Sequence, residues 1–332
     1  MKAFVTGATG CVGANTVAAL LERGHTVRAA QRPTSRMDAL EGLEVELVVA
    51  DILDPDSLLP AMAGCDWVLH IAAVSDYWRT PAATIYHVNV EGTRNVVQAA
   101  LRAGVQRLVL TSSVAALGLP QGRSLLDESA TFNLPPERFP YGHSKHLAEG
   151  VVREAIAQGL DAVIVNPGAV IGPRDVHWIS GSLLKEVQEG WGWFAPPGGV
   201  SWAAATDVGV GHVLAAEKGR TGERYILAGE NCSHRQAIEL VAQIVGGRRP
   251  VMTVPRPLMI LLAWLVRGAG RSGRLPFSAD QAWLSAHHIY CDNSKAVREL
   301  GYPQTPLRTA IEQAYNWYRE RGWLRQAASR PQ

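Results

Sequence analysis

The sequence predicts an α/β fold, a doubly wound parallel sheet followed by a smaller C-terminal substrate-binding region, and three observations lead there. Short apolar segments alternate with helical stretches through the first half of the chain. A run with glycine at every third position follows the first apolar segment and opens the first helix. Past Pro167 the alternation fades into Gly-Pro pairs and clustered aromatic residues. Strands buried on both faces carry continuous apolar runs, and helices between them make the crossovers of a parallel sheet.

In order, residues 3–6, 26–30, 46–50, 67–71, 107–111 and 162–165 read as strands. Residues 12–23 form a helix stopped by Gly24, and residues 90–102 carry Val90, Val97 and Leu101 at helical spacing before Gly104. A nucleotide-binding region is expected over 1–166 with about 205–218, and a substrate-binding region over 167–204 and 219–326.

At 332 residues the chain is long enough for two lobes, and 47% apolar residues with a mean hydropathy near zero fit a globular protein. A net charge of +2 gives no field for nucleic acid. The start, Met1-Lys2-Ala3-Phe4-Val5, runs straight into a strand without a signal-peptide pattern, so a cytoplasmic location is expected. The apolar run 257–266, followed by Arg267, Arg271 and Arg274, is about half a membrane span and reads as a buried helix, with peripheral membrane contact as the other reading. No integral membrane segment is expected. Cys11, Cys65, Cys232 and Cys291 have neither disulfide-framework nor metal-ligand spacing, so no metal is expected.

In Thr6-Gly7-Ala8-Thr9-Gly10-Cys11-Val12-Gly13, glycines let backbone amides approach a pyrophosphate at a helix N-terminus. Gly7, Thr9, Gly10, Cys11, Val12 and Gly13 are therefore candidate dinucleotide contacts; close strand–helix packing alone would use the same glycines. After the second strand stand Gln31 and Arg32 rather than a carboxylate. Arg32, with Ser35 and Arg36, suits the extra phosphate of NADP(H), which is preferred over NAD(H) on that ground. Asp51-Ile52 suits the adenine edge, and an Asp there could equally cap a helix from Pro55.

Tyr141 and Lys145, four residues apart, share a helix face, where an ammonium beside a phenol favours its ionised form. Such a tyrosine trades protons near neutral pH. An accidental surface pair is the bland alternative.

With these residues in order, followed by His70-Ile71-Ala72-Ala73, Asn89-Val90-Glu91-Gly92-Thr93, Thr111-Ser112-Ser113 and Asn166-Pro167-Gly168, the chain resembles the extended short-chain dehydrogenase/reductases across nearly its whole length. Arg32-Pro33-Thr34-Ser35 and Gly222-Glu223-Arg224-Tyr225-Ile226-Leu227 resemble the dihydroflavonol reductase-like branch, which includes bacterial proteins labelled hopanoid-associated sugar epimerases. The resemblance implies a Rossmann fold in which Tyr141 is the general acid or base. Lys145 would bond the nicotinamide ribose and lower the Tyr141 pKa, and Ser113, five residues before Gly118, would hold the carbonyl oxygen. It also puts Ala72, Ala73, Asn89, Ser112, Asn166, Pro167 and Gly168 at or beside the cofactor; for Asn89 and Asn166 a loop-tying amide is the competing role.

Where sugar-nucleotide members carry His-Val-x-Asp-Val, this chain has Ala204-Ala205-Thr206-Asp207-Val208. The His is absent, and Asp207 is expected to cap the next helix. Tyr77 and Trp78, with Trp178 from a group including Trp191, Trp193, Phe194 and Trp202, are candidate walls of an apolar substrate cavity. The expected activity is NADP-dependent reduction of an apolar or aromatic ketone or aldehyde, or the reverse. The alternatives are an NAD-dependent nucleotide-sugar epimerase or dehydratase and a non-catalytic dinucleotide sensor. A homodimer through residues 91–102 and 142–153 is implied, which mass in solution would test.

Overall fold

The structure, a computed structural model, describes residues 1–122, 124–268 and 278–327. Arg271 and Arg274 lie outside the described residues. The strands among the described residues are β1 (Lys2–Thr6), β2 (Thr26–Gln31), β3 (Glu46–Val49), β4 (Trp67–His70), β5 (Arg107–Thr111), β6 (Ala162–Pro167), β7 (Ala169–Ile171), β8 (Phe194–Ala195), β9 (Gly199–Ala204), β10 (Arg224–Leu227), β11 (Asn231–Ser233), β12 (Met252–Thr253) and β13 (His288–Ile289). The α-helices are α1 (Cys11–Glu22), α2 (Pro55–Met62), α3 (Ala82–Tyr86), α4 (Gly92–Ala103), α5 (Pro140–Ala157), α6 (Ser182–Gln188), α7 (Ala205–Lys218), α8 (His234–Val245), α9 (Arg256–Gly268), α10 (Ala279–Leu284), α11 (Ser294–Leu300) and α12 (Leu307–Glu320).

Seven strands form one parallel sheet in the order β10-β6-β5-β4-β1-β2-β3. Strand alternation divides its side chains between two cores. Val5, Leu69, Val109 and Val165 meet α1 and α7, while Phe4, Val68, Leu108 and Ile164 meet α2, α4 and α5. The helices α1 and α7 cross where Gly209 leaves no room for a side chain, since a Cβ there would lie 2.4 Å from the Asn15 carbonyl oxygen. The helices expected to carry self-association, α4 and α5, lie against the same face of the sheet.

The second region is built on β9, which pairs β11, β13 and β7, with β8 and β12 forming a separate ribbon. Here two expectations change. Strand β10, placed by sequence in the substrate region, pairs β6 and completes the main sheet. Asp207 does not cap α7, whose N-cap is Ala204; its carboxylate instead accepts hydrogen bonds from Thr305 N (2.6 Å) and Thr305 Oγ1 (2.7 Å), tying the α11–α12 loop to α7. Among the described residues, no helix is long and apolar enough to cross a membrane.

Candidate active site

The sheet order reverses between β1 and β4, and at such a switch point the loops leaving both strands part to form a crevice. Gly7 follows β1 at φ +69°, a conformation open to glycine, and a Cβ on it would lie 2.6 Å from Ala72 N in the loop after β4. A Cβ on Gly13 would sit 2.0 Å from the Gly7 oxygen. These two glycines are demanded by close packing, Gly7 on the loop after β4 and Gly13 within the turn. Gly10 differs: only the Gly7 oxygen, at 3.5 Å, is near its Cβ position, so the turn is open on that side. Gly10 is also the N-cap of α1 and supplies no side-chain cap, leaving first-turn N–H groups for an anion. A cradle of this shape fits a dinucleotide pyrophosphate.

The turn opens into a cleft of about 2120 Å³ that also reaches Arg32, Ser35, Asp51, Ile52, Ala72, Ala73, Pro167 and Gly168. A drug-sized ligand occupies ~300–1,000 Å³, so this volume admits two ligands side by side. Arg32 is exposed at the end of β2, its N–H donating to Ser35 Oγ at 3.0 Å. Arg36, also expected to bind a phosphate, turns away to Asp38 and the Val176 carbonyl. Asp51 is not the cap of α2; it accepts from Leu53 N at 2.9 Å, and Asp54 takes the capping position. Cys11 lines the cleft with its thiol pushed well up, first by burial and then by Asp175, which disfavours the thiolate.

Ser113, Tyr141 and Lys145 converge on the same cleft. Pro140 opens α5, placing Tyr141 in its first turn and Lys145 one turn later. Burial holds the Tyr141 phenol above its ordinary pKa, and a hydrogen bond with Ser113 opposes the shift. Lys145 is not among the groups that move Tyr141 in this structure. Its ammonium donates to the Thr111 carbonyl at 2.9 Å. The Tyr77 ring stacks on Tyr141 with centroids 5.2 Å apart, and Phe139 meets both rings, 6.0 Å from Tyr141 and 5.4 Å from Tyr77. Desolvated rings thus surround a phenol whose oxygen bonds a serine hydroxyl.

Beneath the trio lies a network that the sequence reading missed. Glu149, on α5 one turn beyond Lys145, is fully buried, accepts from Ser112 Oγ (2.6 Å), Asn166 Nδ2 (2.8 Å) and Arg153 (2.8 Å), and forms an ion pair with Arg224 at 2.5 Å. Asn166 also donates to the Ser113 carbonyl at 3.0 Å. Ser112 therefore serves the network, while Ser113 lines the cleft beside Tyr141. Of the two roles open to Asn89 and Asn166, the hydrogen bonds here are those of ties: neither lines the cleft, and Asn89 bonds Val74 N (2.8 Å) and Ser144 Oγ (3.0 Å). His143 is occupied with the Tyr86 hydroxyl at 2.9 Å. Spacing of four from Lys145 was the available signal for Glu149.

Burial lowers the Lys145 pKa to about 8, with the Glu149 charge opposing the shift. The neutral form thus gains above about pH 8, so kcat/KM is expected to fall there as the ammonium is lost. Glu149→Gln removes the negative neighbour and moves that alkaline limb to lower pH; a limb unmoved in the pH profile would break the link.

Tyr77 and Trp78 line the far half of the cleft, with Trp191, Trp193, Phe194 and Trp202. Trp178 does not. It stacks on Tyr318 with centroids 4.3 Å apart and packs near Trp323, so its expected substrate contact is withdrawn. Wall residues not foreseen include Met259 and Leu262 of α9 and His234 of α8.

The chain matches the model of the NAD-dependent epimerase/dehydratase family over residues 3–228. It is 38% identical over 333 residues to a putative dihydroflavonol 4-reductase of Synechocystis sp., covering 97% of this chain and 96% of that protein. It is 37% identical over 331 residues to sterol demethylase protein B of Methylococcus capsulatus, covering 98% and 100%. Among solved structures, that of gox2253 superposes with a TM-score of 0.86 at 36% identity, covering 97% of this chain and 99% of that one. The chain belongs to the NAD-dependent epimerase/dehydratase family, the extended short-chain dehydrogenase/reductases, and is an NAD(P)-dependent oxidoreductase.

Proposed function

We propose that the protein is an NADP(H)-dependent reductase of a ketone or aldehyde on an apolar or aromatic small molecule, working in reverse as an alcohol dehydrogenase. The observation that carries this reading is the division of one cleft between a glycine cradle and a chamber of aromatic walls, with Ser113, Tyr141 and Lys145 lining it. A nicotinamide nucleotide supplies the hydride when bound. Gly7 to Gly13 would hold its pyrophosphate, Ala72 and Ala73 would pack beside it, and Arg32 with Ser35 would meet the extra phosphate. Ser113 and Tyr141 bond the substrate oxygen and stabilise the charge that develops on it. The Tyr141 phenol passes its proton to that oxygen, and Lys145 would bond the nicotinamide ribose.

Two buried ring nitrogens on residues lining the cleft, Trp202 Nε1 and His234 Nε2, have no hydrogen-bond partner among the described residues. Buried polar atoms are ordinarily paired, so the preferred substrate carries a second polar atom beside its apolar body. Its apolar character also agrees with the sterol in the name of one relative, sterol demethylase protein B.

Removing a charge-assisted hydrogen bond costs ~1.5–3 kcal/mol, or about 10–150-fold in affinity. Arg32→Ala should therefore weaken NADPH binding by that factor and leave NADH nearly unchanged, read by quenching of tryptophan fluorescence. Equal loss for both nucleotides, or none for NADPH, would contradict the assignment.

A further inference from the structure

Apolar residues on a soluble surface are usually scattered singly, whereas contiguous patches mark interaction sites. Among the described residues, ten of the fifteen large exposed hydrophobics lie within 191–194 and 251–265, so this surface is not an ordinary one. Its centre is α9. One side of that helix is buried, with Met259 and Ala263 packing on Ala282 and Ala286 beside α10. On the opposite side Leu258, Leu261, Trp264 and Leu265 are 55%, 50%, 70% and 52% exposed. They recur at the three- and four-residue spacing of one helical face.

Charge identifies what covers this face. Residues 240–279 contain six arginines, at 248, 249, 256, 267, 271 and 274, and no Asp or Glu. Arg248, Arg249 and Arg256 are exposed, and the Arg248 guanidinium lies 5.1 Å from the Trp193 ring centroid. A second copy would bring the same cations against themselves. An apolar face bearing an exposed Trp and bordered by arginines instead matches the boundary between acyl chains and anionic headgroups. The cleft lies behind the same helix, since Met259 and Leu262 line it.

We propose that α9 seats the protein on an anionic bilayer surface, apolar face inward, with the aromatic half of the cleft beside the acyl boundary from which an apolar substrate would enter. The entry route rests on the proposed substrate class; the seat does not.

Flotation of the full chain with vesicles tests the seat. Binding is expected to vesicles of phosphatidylcholine with phosphatidylglycerol, at least tenfold weaker to phosphatidylcholine alone, and weakened by salt. Leu261→Glu with Trp264→Glu should reduce it at least tenfold while NADPH affinity stays at the wild-type value, which shows that the variant folds and keeps the two readings separable. Absence of flotation with anionic vesicles, or flotation indifferent to the double substitution, overturns the proposal. So does a dimer in solution that this variant dissociates without any vesicle binding, which would assign the face to a second copy.

Discussion

Tyr141→Phe is expected to lower kcat for carbonyl reduction by about 10²–10⁴-fold, the usual contribution of a positioned general acid. The ring would stay packed on Tyr77 and Phe139, because these ring contacts need no hydroxyl. What disappears is the oxygen that bonds Ser113 and carries the transferable proton. Cofactor affinity should change little, since the glycine cradle and Arg32 are untouched. Burial raises the Tyr141 pKa in the unliganded chain, so the phenol is held as a proton donor rather than as a phenolate. That protonation state suits reduction, where the phenol gives its proton to the developing alkoxide. A variant with unchanged kcat would move the acid to another group.

Arg224→Met is expected to destabilise the fold by about 3–5 kcal/mol, the cost of stranding one member of a buried ion pair. Glu149 is fully buried and the Arg224 side chain only 9% exposed, so water cannot replace the missing partner. Arg224 also donates to the Ala130 carbonyl at 2.8 Å, joining the main sheet to the loop before α5. The remaining cation at Glu149, Arg153, is 42% exposed and cannot neutralise the carboxylate as well. Against a total stability of ~5–15 kcal/mol, this loss is a large share. Denaturant midpoints should show it, and Arg224→Met with Glu149→Leu should recover part of it by removing both charges. A single-variant cost below about 1 kcal/mol would mean that Arg153 suffices, and the network would then not be what fixes Ser112 and Asn166.

The features readable in the sequence are those fixed by backbone sterics and local spacing. The turn from Gly7 to Gly13 tolerates no Cβ at its ends, so its glycines announce themselves. Tyr141 and Lys145 share a face because α-helical periodicity is local. Strand β10 was illegible as part of the sheet: its four residues are all buried, leaving no alternation to read, and its place is set by pairing with β6, nearly sixty residues earlier in the chain. Glu149 reads as a solvated helix residue until tertiary packing brings Arg224 to it. Motif position leaves Asn89 and Asn166 open to ligand contact or to a loop tie, and only the tertiary fold shows their amides joining loops. Trp178 was misread because composition identifies aromatic residues without saying which face of a loop they take; stacking on Tyr318 removed it from the cleft.

The most direct measurement follows deuterium from the reduced nicotinamide of labelled NADPH while an apolar ketone is turned over many times. Transfer to the carbinol carbon, one NADPH oxidised per alcohol formed and loss of both with Tyr141→Phe, is the expected result. Purified protein that retains NAD through every turnover, converts a nucleotide sugar and consumes no NADPH would contradict it.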